Sequence, residues 1–163
     1  MTSLKPRRDA PGARVLSLWN TCKGLPFGRS IFGLLFGNMV PYSGSIGATP
    51  LAIEAGYAKL ALRDRRGVRN HLGSIHAVAL TNLGELTSGL AMTTALPPGV
   101  RGIVLRIESE YMKKARGTLV GEARVVVPQV TGDTDFEVRA DLRDSGGDVV
   151  ATVRVHWRLG LTP

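Results

Sequence analysis

One segment restricts the possible folds more than any other part of the sequence. Residues 74–95 contain a single charged side chain, Glu85, and apolar or small residues lie at every helical position. A helix that is apolar all round is buried, and its alanines and glycines let a sheet approach closely. Glu85, Asn82, His76 and several threonines are unsuited to a lipid-spanning helix. The segment therefore predicts a long, buried central helix.

Alternating hydrophobicity predicts strands on both sides of this helix. Two extended runs lie within residues 45–62 and are separated by a turn at residues 54–56. Four more runs follow, at residues 103–111, 119–127, 136–142 and 149–158. In the first of these four, the pattern places Ile103, Leu105, Ile107 and Tyr111 on one face. Six antiparallel strands with a helix inserted after the second predict an α+β fold, a curved sheet wrapped around the helix.

The N-terminal part of the chain has a helical rather than an alternating pattern. Residues 13–23 predict a short amphipathic helix that Gly24 and Pro26 end. Residues 27–39 are apolar but contain three glycines, so both a second helix and a packed loop remain open, as does a role at a membrane surface. We expect a helical extension over residues 1–40 and a main body over residues 41–163, together forming one domain.

Charge and cysteine content narrow the surroundings. The 163 residues carry a formal net charge of +8 and one cysteine, Cys22, so no disulfide can form within the chain. A reducing location, the cytoplasm, is expected. The apolar run at residues 31–40 is about half the roughly 20 residues that cross a bilayer, so no membrane anchor is expected. The histidines lack metal-ligand spacing, and no nucleic-acid-binding motif is present.

Glu85 is the main candidate for chemistry. A carboxylate in so apolar a helix costs free energy unless it is paired, hydrogen-bonded or next to a wet crevice. Desolvated carboxylates cluster at active sites, which favours a functional role. A structural hydrogen bond at a subunit contact is the alternative.

The start of the same helix offers a second candidate group. Ser74 is the expected N-cap, and the amides of His76 and Ala77 would point their N–H groups at an oxyanion. His76 and Glu85 are nine residues apart, which places them on opposite sides of the helix and about 13 Å apart along it. One chain cannot bring both to one atom, whereas a two-fold dimer with antiparallel central helices could.

These residues carry a resemblance to a known family. Residues 70–77, followed by Glu85 on an all-apolar helix, resemble the active-site segment of hotdog-fold acyl-CoA thioesterases. In families near the phenylacetic-acid-pathway enzymes, a polar residue precedes the helix-start histidine by six positions and an acid follows it by nine. Asn70, His76 and Glu85 match this pattern. The strand order and residues 111–119 also resemble that superfamily, which implies a hotdog fold.

The resemblance implies catalytic roles for the matching residues. Glu85 would activate water or attack the thioester carbonyl, and the Ala77 amide would stabilise the oxyanion. Asn70 would position the water or the carbonyl. His76 would either transfer a proton or fix the turn at the helix start. Ala77-Val78 stands where the family has a glycine pair, and we expect these side chains to narrow the substrate channel.

Substrate contacts are expected around the same helix start, from Gly73 and Ser74 and from three basic residues, Arg69, Lys114 and Arg116. Coenzyme A carries phosphates that arginine and lysine bind, although a solvated charged rim is the alternative for each of them. Coenzyme A enters as part of the substrate, so no separate cofactor and no metal are expected.

The predicted function is acyl-CoA thioester hydrolysis at a site shared across a homodimer interface, and further assembly into a tetramer stays open. Two other functions stay open: a hotdog protein that binds acyl groups without hydrolysing them, and, with less support from the histidine-to-acid spacing, a hotdog dehydratase or hydratase.

Overall fold

The computed structural model describes residues 11–162. Residues 1–10 of the expected extension lie outside this range. Within this range the chain forms four α-helices and six β-strands, with one 3₁₀ turn at Arg66–Val68 before the longest of these helices. The helices are α1 Pro11–Cys22, α2 Gly28–Met39, α3 Pro41–Gly44 and α4 Ala77–Ala95. The strands are β1 Thr49–Glu54, β2 Tyr57–Leu62, β3 Val100–Tyr111, β4 Leu119–Arg124, β5 Thr134–Arg143 and β6 Val149–Leu161.

The six strands form one antiparallel sheet in the order β1-β2-β4-β5-β6-β3. Helix α4 packs against strands from β1 at one edge to β3 at the other, so the sheet wraps around it. The predicted α+β architecture, with a central helix inserted after the second strand, is confirmed. Since β3 pairs only with β6, it is an edge strand whose outer side has no partner within the described chain.

Close contact between α4 and the sheet depends on glycine. A Cβ added at Gly84 would lie 2.3 Å from a Val153 methyl carbon of β6, so no larger residue fits without movement. Gly121 of β4 allows a similar approach to Thr87 and Leu83 of α4. Leu83 and Val153 are fully buried at this contact. The small residues that predicted a buried helix are therefore the ones that let the sheet reach it.

The N-terminal extension consists of helices packed on this core. Helix α1 lies against α4, where Gly12 meets the backbone of Thr93 so closely that a Cβ there would be 2.2 Å from the Thr93 carbonyl oxygen. Trp19 of α1 and Phe32 of α2 are buried and pack edge to face with ring centroids 5.4 Å apart. The sequence allowed either a helix or a packed loop over residues 27–39, and the structure shows a helix, α2.

Strand β3 departs from the predicted alternation. A β-bulge between Val104 and Arg106 shifts the register, so Ile103 pairs with the exposed Arg158 and Ile107 pairs with the buried Val155. Cross-strand partners share a face of the sheet. The prediction that Ile103 and Ile107 lie on one face is therefore wrong, because one extra residue at a bulge inverts every side chain after it.

Two further features of residues 11–162 bear on function. None of their helices combines the length and apolar character that crossing a membrane requires. Nor do three or more histidine, cysteine, aspartate or glutamate side chains of this range converge as metal ligands would.

The tight contact at Gly84 gives a stability prediction. We expect Gly84→Ala to lower the free energy of unfolding by about 1–3 kcal/mol, because its methyl group must displace Val153. Gly89→Ala on the same helix is the matched control: its Cβ would meet Trp157 at an ordinary 3.7 Å. That substitution should stabilise by up to about 1 kcal/mol through helix propensity. Urea unfolding of both variants measures the difference, and equal effects would contradict the account.

Candidate active site

The turn that leads into α4 is held by backbone hydrogen bonds. The Ile75 N–H donates to the carbonyl oxygen of Ala115, and the His76 N–H donates to that of Val68. Helix α4 begins at Ala77, and its N-cap is His76, whose Nδ1 accepts a hydrogen bond from the Val78 N–H at 3.1 Å. The prediction that Ser74 is the N-cap is therefore wrong. Because the His76 N–H is already used within the turn, the prediction that it serves as an oxyanion donor is also wrong.

Asn70 is the organising side chain of this turn. Its Oδ1 accepts hydrogen bonds from the backbone N–H groups of Leu72, at 3.0 Å, and Ser74, at 3.2 Å. The buried Ser74 hydroxyl lies against the same amide group, and Gly73 between them has a φ of 69°, which favours glycine. These contacts explain why Ser74 is not a cap: Asn70 holds it. Asn70 thus fixes the turn, and a contact from it to substrate stays a prediction.

The Ala77 N–H remains as a candidate oxyanion donor. Ala77 is exposed at the first turn of α4, and its N–H has no hydrogen-bond partner among residues 11–162. Helix N-termini carry partial positive charge and unpaired N–H groups that favour an anion. His76 is also exposed, and its Nδ1 accepts the hydrogen bond from Val78. This contact agrees with the expected role of His76 in fixing the turn at the helix start. The alternative role, proton transfer, stays a prediction.

Glu85 lies in a different environment, beside a cavity of about 330 Å³. Burial raises the pKa of its carboxyl above the ordinary glutamate value, and a hydrogen bond with the Ser43 hydroxyl offsets part of this rise. Apolar side chains from α1, α2, α4 and β6 form most of the wall, and Arg14 of α1 is the other charged residue of the lining. A carboxylate with a raised pKa is a stronger base, as general base catalysis at neutral pH requires.

The two candidate groups do not meet within one chain. Ala77 and Glu85 are eight residues apart on α4, which corresponds to about 12 Å along the helix axis. The structure therefore brings Asn70, Gly73, Ser74, His76 and Ala77 together at the helix start and leaves Glu85 two turns away.

A cluster of hydroxyl groups lies between the two candidates, and the sequence analysis missed it. The Thr81 Oγ1 lies 2.8 Å from both the Ser109 Oγ and the Tyr111 hydroxyl of strand β3. Thr81 follows Ala77 by four residues and precedes Glu85 by four, so the three share a stripe of the helix. That spacing was visible in the sequence, whereas the contact with β3 depends on the fold.

The covering of Glu85 by the N-terminal helices was also not predicted. Phe36, Met39 and Val40 line its cavity, although no pattern in the sequence of the extension predicts a part in the site. By contrast, Ala77 and Val78 are exposed and do not line this cavity, and Val78 is 55% accessible. Within one chain they therefore do not narrow the space beside Glu85.

The predicted basic contacts surround the helix start. Arg69 forms an ion pair with Asp64 at 2.6 Å, and Asp64 also accepts a hydrogen bond from the Gly117 N–H. Chiefly because of the hydrogen bond from Arg69, the pKa of Asp64 is lowered, and nearby Arg116 lowers it further. Lys114 and Arg116 are exposed. Arg69 is thus partly neutralised, while the other two face solvent.

Because the pKa of Glu85 is raised in the folded protein, stability should depend on pH through this residue. Ionisation of this half-buried carboxyl opposes folding because its pKa is higher in the folded than in the unfolded state. The resulting loss of stability is absent below the unfolded-state pKa, about 4.3, and complete above the folded-state pKa. We expect Glu85→Gln to raise the melting temperature at pH 7.5, and the gain to disappear as the pH falls towards 4. Glu54→Gln, at an exposed glutamate, is the control for the loss of one negative charge. A gain of the same size at every pH would contradict this interpretation.

Solved structures with the same architecture include proteins described as thioesterases. The structural-genomics protein APC5556 superposes with a TM-score of 0.81 and 26% identity, over 92% of this chain and 100% of that chain. PA5026 of Pseudomonas aeruginosa, described as a protein of unknown function and "probable thioesterase", has a TM-score of 0.73 and 25% identity, over 85% of this chain and 97% of its own. No curated protein sequence matches this chain.

Thioesterase HI1161 of Haemophilus influenzae shares the fold at 16% identity, with a TM-score of 0.63, over 74% of this chain and 82% of its own. These similarities confirm the predicted hotdog fold and the resemblance to hotdog-fold thioesterases. A family profile described as a domain of unknown function, DUF4442, matches residues 28–159. Because this match spans most of the sequence, the chain belongs to the DUF4442 family.

Proposed function

We propose that this protein hydrolyses acyl-CoA thioesters and that each active site is shared by two protomers of a homodimer. The observation that carries the proposal is Glu85, the charged residue of the apolar central helix, which has a raised pKa and borders an apolar cavity. An acid in this state suits proton transfer next to a hydrophobic acyl group. The thioesterase description of PA5026, a similar structure, supports the same chemistry.

The case for a dimer starts from the unpaired edge of the sheet. Strand β3 exposes Leu105, Ile107 and Tyr111, each with an accessible fraction of 40% or more, and Val78 of α4 is exposed as well. An edge strand with exposed apolar side chains favours pairing with another strand. A two-fold pairing of β3 with its copy would set the two α4 helices antiparallel, so Glu85 of one protomer could approach the partner's helix start.

Hydrolysis then divides between the protomers. Glu85 accepts a proton from water, and the water oxygen attacks the thioester carbonyl carbon. The Ala77 N–H of the partner subunit stabilises the negative charge on the carbonyl oxygen. The carbon–sulfur bond then breaks, the protonated Glu85 returns its proton to the leaving sulfur, and a carboxylic acid and free coenzyme A leave. Lys114 and Arg116, which are exposed near the helix start, bind the coenzyme A phosphates, with Arg69 as a third contact.

The chemistry is tested by thiol release from a panel of acyl-CoAs. We expect Glu85→Gln to reduce kcat by at least about 100-fold, because it removes the base. Ala77→Pro should reduce kcat by about 100-fold or more, because it deletes the N–H donor. Proline fits the first helical position, and His76 before it already has the extended ψ of 139° that proline requires.

Ala77→Gly is the matched control, since it retains the N–H and should keep most of the activity. Circular dichroism and unfolding curves show whether each variant is folded. If the folded wild type releases no thiol from any acyl-CoA but binds these ligands, a non-catalytic acyl-binding protein is the better description. Full activity of folded Glu85→Gln would refute the proposed role of the carboxylate.

The shared site makes a separate prediction about mixed dimers. Homodimers of Glu85→Gln and of Ala77→Pro should both be nearly inactive. A heterodimer of the two, purified through different affinity tags, contains one site with neither defect. It should therefore recover about half of the wild-type activity per dimer. No recovery in a folded heterodimer, or full activity of a monomer, would exclude a site shared in this way.

A further inference from the structure

The cavity beside Glu85 is walled in part by the N-terminal helices rather than by the sheet alone. Its apolar lining comes from Val15 of α1, Phe36 and Met39 of α2, Val40 directly after α2, Leu90 of α4 and Trp157 of β6. We infer that this cavity binds the hydrocarbon part of a medium-chain acyl group, about 8 to 12 carbons long, and that α1 and α2 set the chain length. The inference rests on the proposed thioesterase function.

The arrangement of polar groups fits such a ligand. Ser43 and Glu85 lie together on the cavity wall, where the hydrogen bond between them places the carboxyl. From there the lining follows α4 through Gly89 to Thr93 and ends against Pro11 of α1. A ligand with its reacting carbon near Glu85 would thus extend its hydrocarbon between α4 and the extension. Ligand pockets with mostly apolar walls and a few polar groups follow this pattern.

The size of the cavity limits the length of the chain. Its volume is about 330 Å³. A cavity of about 150 Å³ holds one benzene molecule, six carbons, so a space of this size accommodates about twelve. The stretch of α4 from Glu85 to Thr93 is two turns, about 12 Å long. Both estimates favour a medium-length chain over a long one.

Gly89 provides a way to shorten the cavity. A Cβ added there would lie 3.7 Å from the Trp157 ring and 3.8 Å from the Glu85 carboxylate, both ordinary contact distances. The first carbon of a larger side chain therefore fits, and the remaining carbons of leucine would occupy the cavity. Phe36 offers the opposite change, because its truncation to alanine would enlarge the same space.

Binding is measured with neutral probes, so that it depends neither on hydrolysis nor on repulsion by Glu85. Straight-chain primary alcohols of 4 to 14 carbons are titrated while tryptophan fluorescence is recorded. Trp157 lines the cavity, and Trp19→Phe removes the only other tryptophan of the sequence. We expect affinity to rise about four-fold for each added methylene up to about 10 carbons and then to level off.

Gly89→Leu should move the levelling-off point to a chain about three carbons shorter, and Phe36→Ala should move it to a longer chain. Leu34→Ala, at a 68% exposed position of α2 outside this cavity, should leave it unchanged. If Gly89→Leu does not fold, Phe36→Ala still tests the inference. No saturable binding, or the same length dependence in every folded variant, would overturn it.

The same variants are assayed with acyl-CoAs, which separates the two proposals. A parallel shift in the preferred acyl length supports both. Length-dependent alcohol binding without thiol release contradicts the proposed hydrolysis while supporting the cavity as the hydrocarbon site. Hydrolysis whose chain-length preference is unaffected by Gly89→Leu supports the thioesterase and overturns the assignment of this cavity.

Discussion

The partial burial of one carboxyl group in an otherwise apolar helix is the constraint on which the rest of the site depends. The sheet wraps closely around α4 because its glycines and alanines leave room for strands such as β6. On the side that carries Glu85, helices α1 and α2 cover α4, and Ser43 is a hydrogen-bonding neighbour of the carboxyl group. The same packing that stabilises the fold thus raises the pKa of the one acid on the helix, at a cost in stability that function can explain.

Geometry along the helix is the reason that the proposed function requires a second protomer. The candidate oxyanion donor at Ala77 and the carboxyl of Glu85 are about 12 Å apart along α4, too far to act on one carbonyl group. An unpaired, partly apolar β3 edge lies alongside the same stripe of the helix, where Thr81 contacts Ser109 and Tyr111. Under the proposed function, a two-fold copy would both pair the open edge and bring the separated candidate groups to one site.

The sequence predicted the architecture well because the dominant signals are periodic. Alternation marked the strands, and the uniform apolarity of residues 74–95 marked the central helix. Prediction from the sequence failed where one local interaction competes with another. Asn70 forms hydrogen bonds with Ser74, so His76 and not Ser74 is the N-cap of α4. In β3, a bulge after Val104 reverses which side chains face the core. A single inserted residue or side-chain hydrogen bond leaves little trace in hydrophobic periodicity.

The site itself was only half predictable. Glu85 stands out in the sequence because it is the one charged side chain of residues 74–95. Ala77 stands out because its N–H lies at the expected start of that helix. The wall that α1 and α2 build over Glu85 depends on tertiary packing, for instance of Gly12 on the Thr93 backbone, which no local pattern encodes. Under the proposed function, the N-terminal helices are therefore part of the site as well as of the fold.

The most direct test of this account is the pH dependence of kcat/KM for hydrolysis of a medium-chain acyl-CoA by the wild-type protein. If half-buried Glu85 is the base, the rate should fall on the acid side with an apparent pKa above that of an ordinary glutamate, about 4.3. A rate that stays constant from pH 7 down to pH 4 would show that no carboxyl with a raised pKa acts in the reaction, and would contradict the central claim.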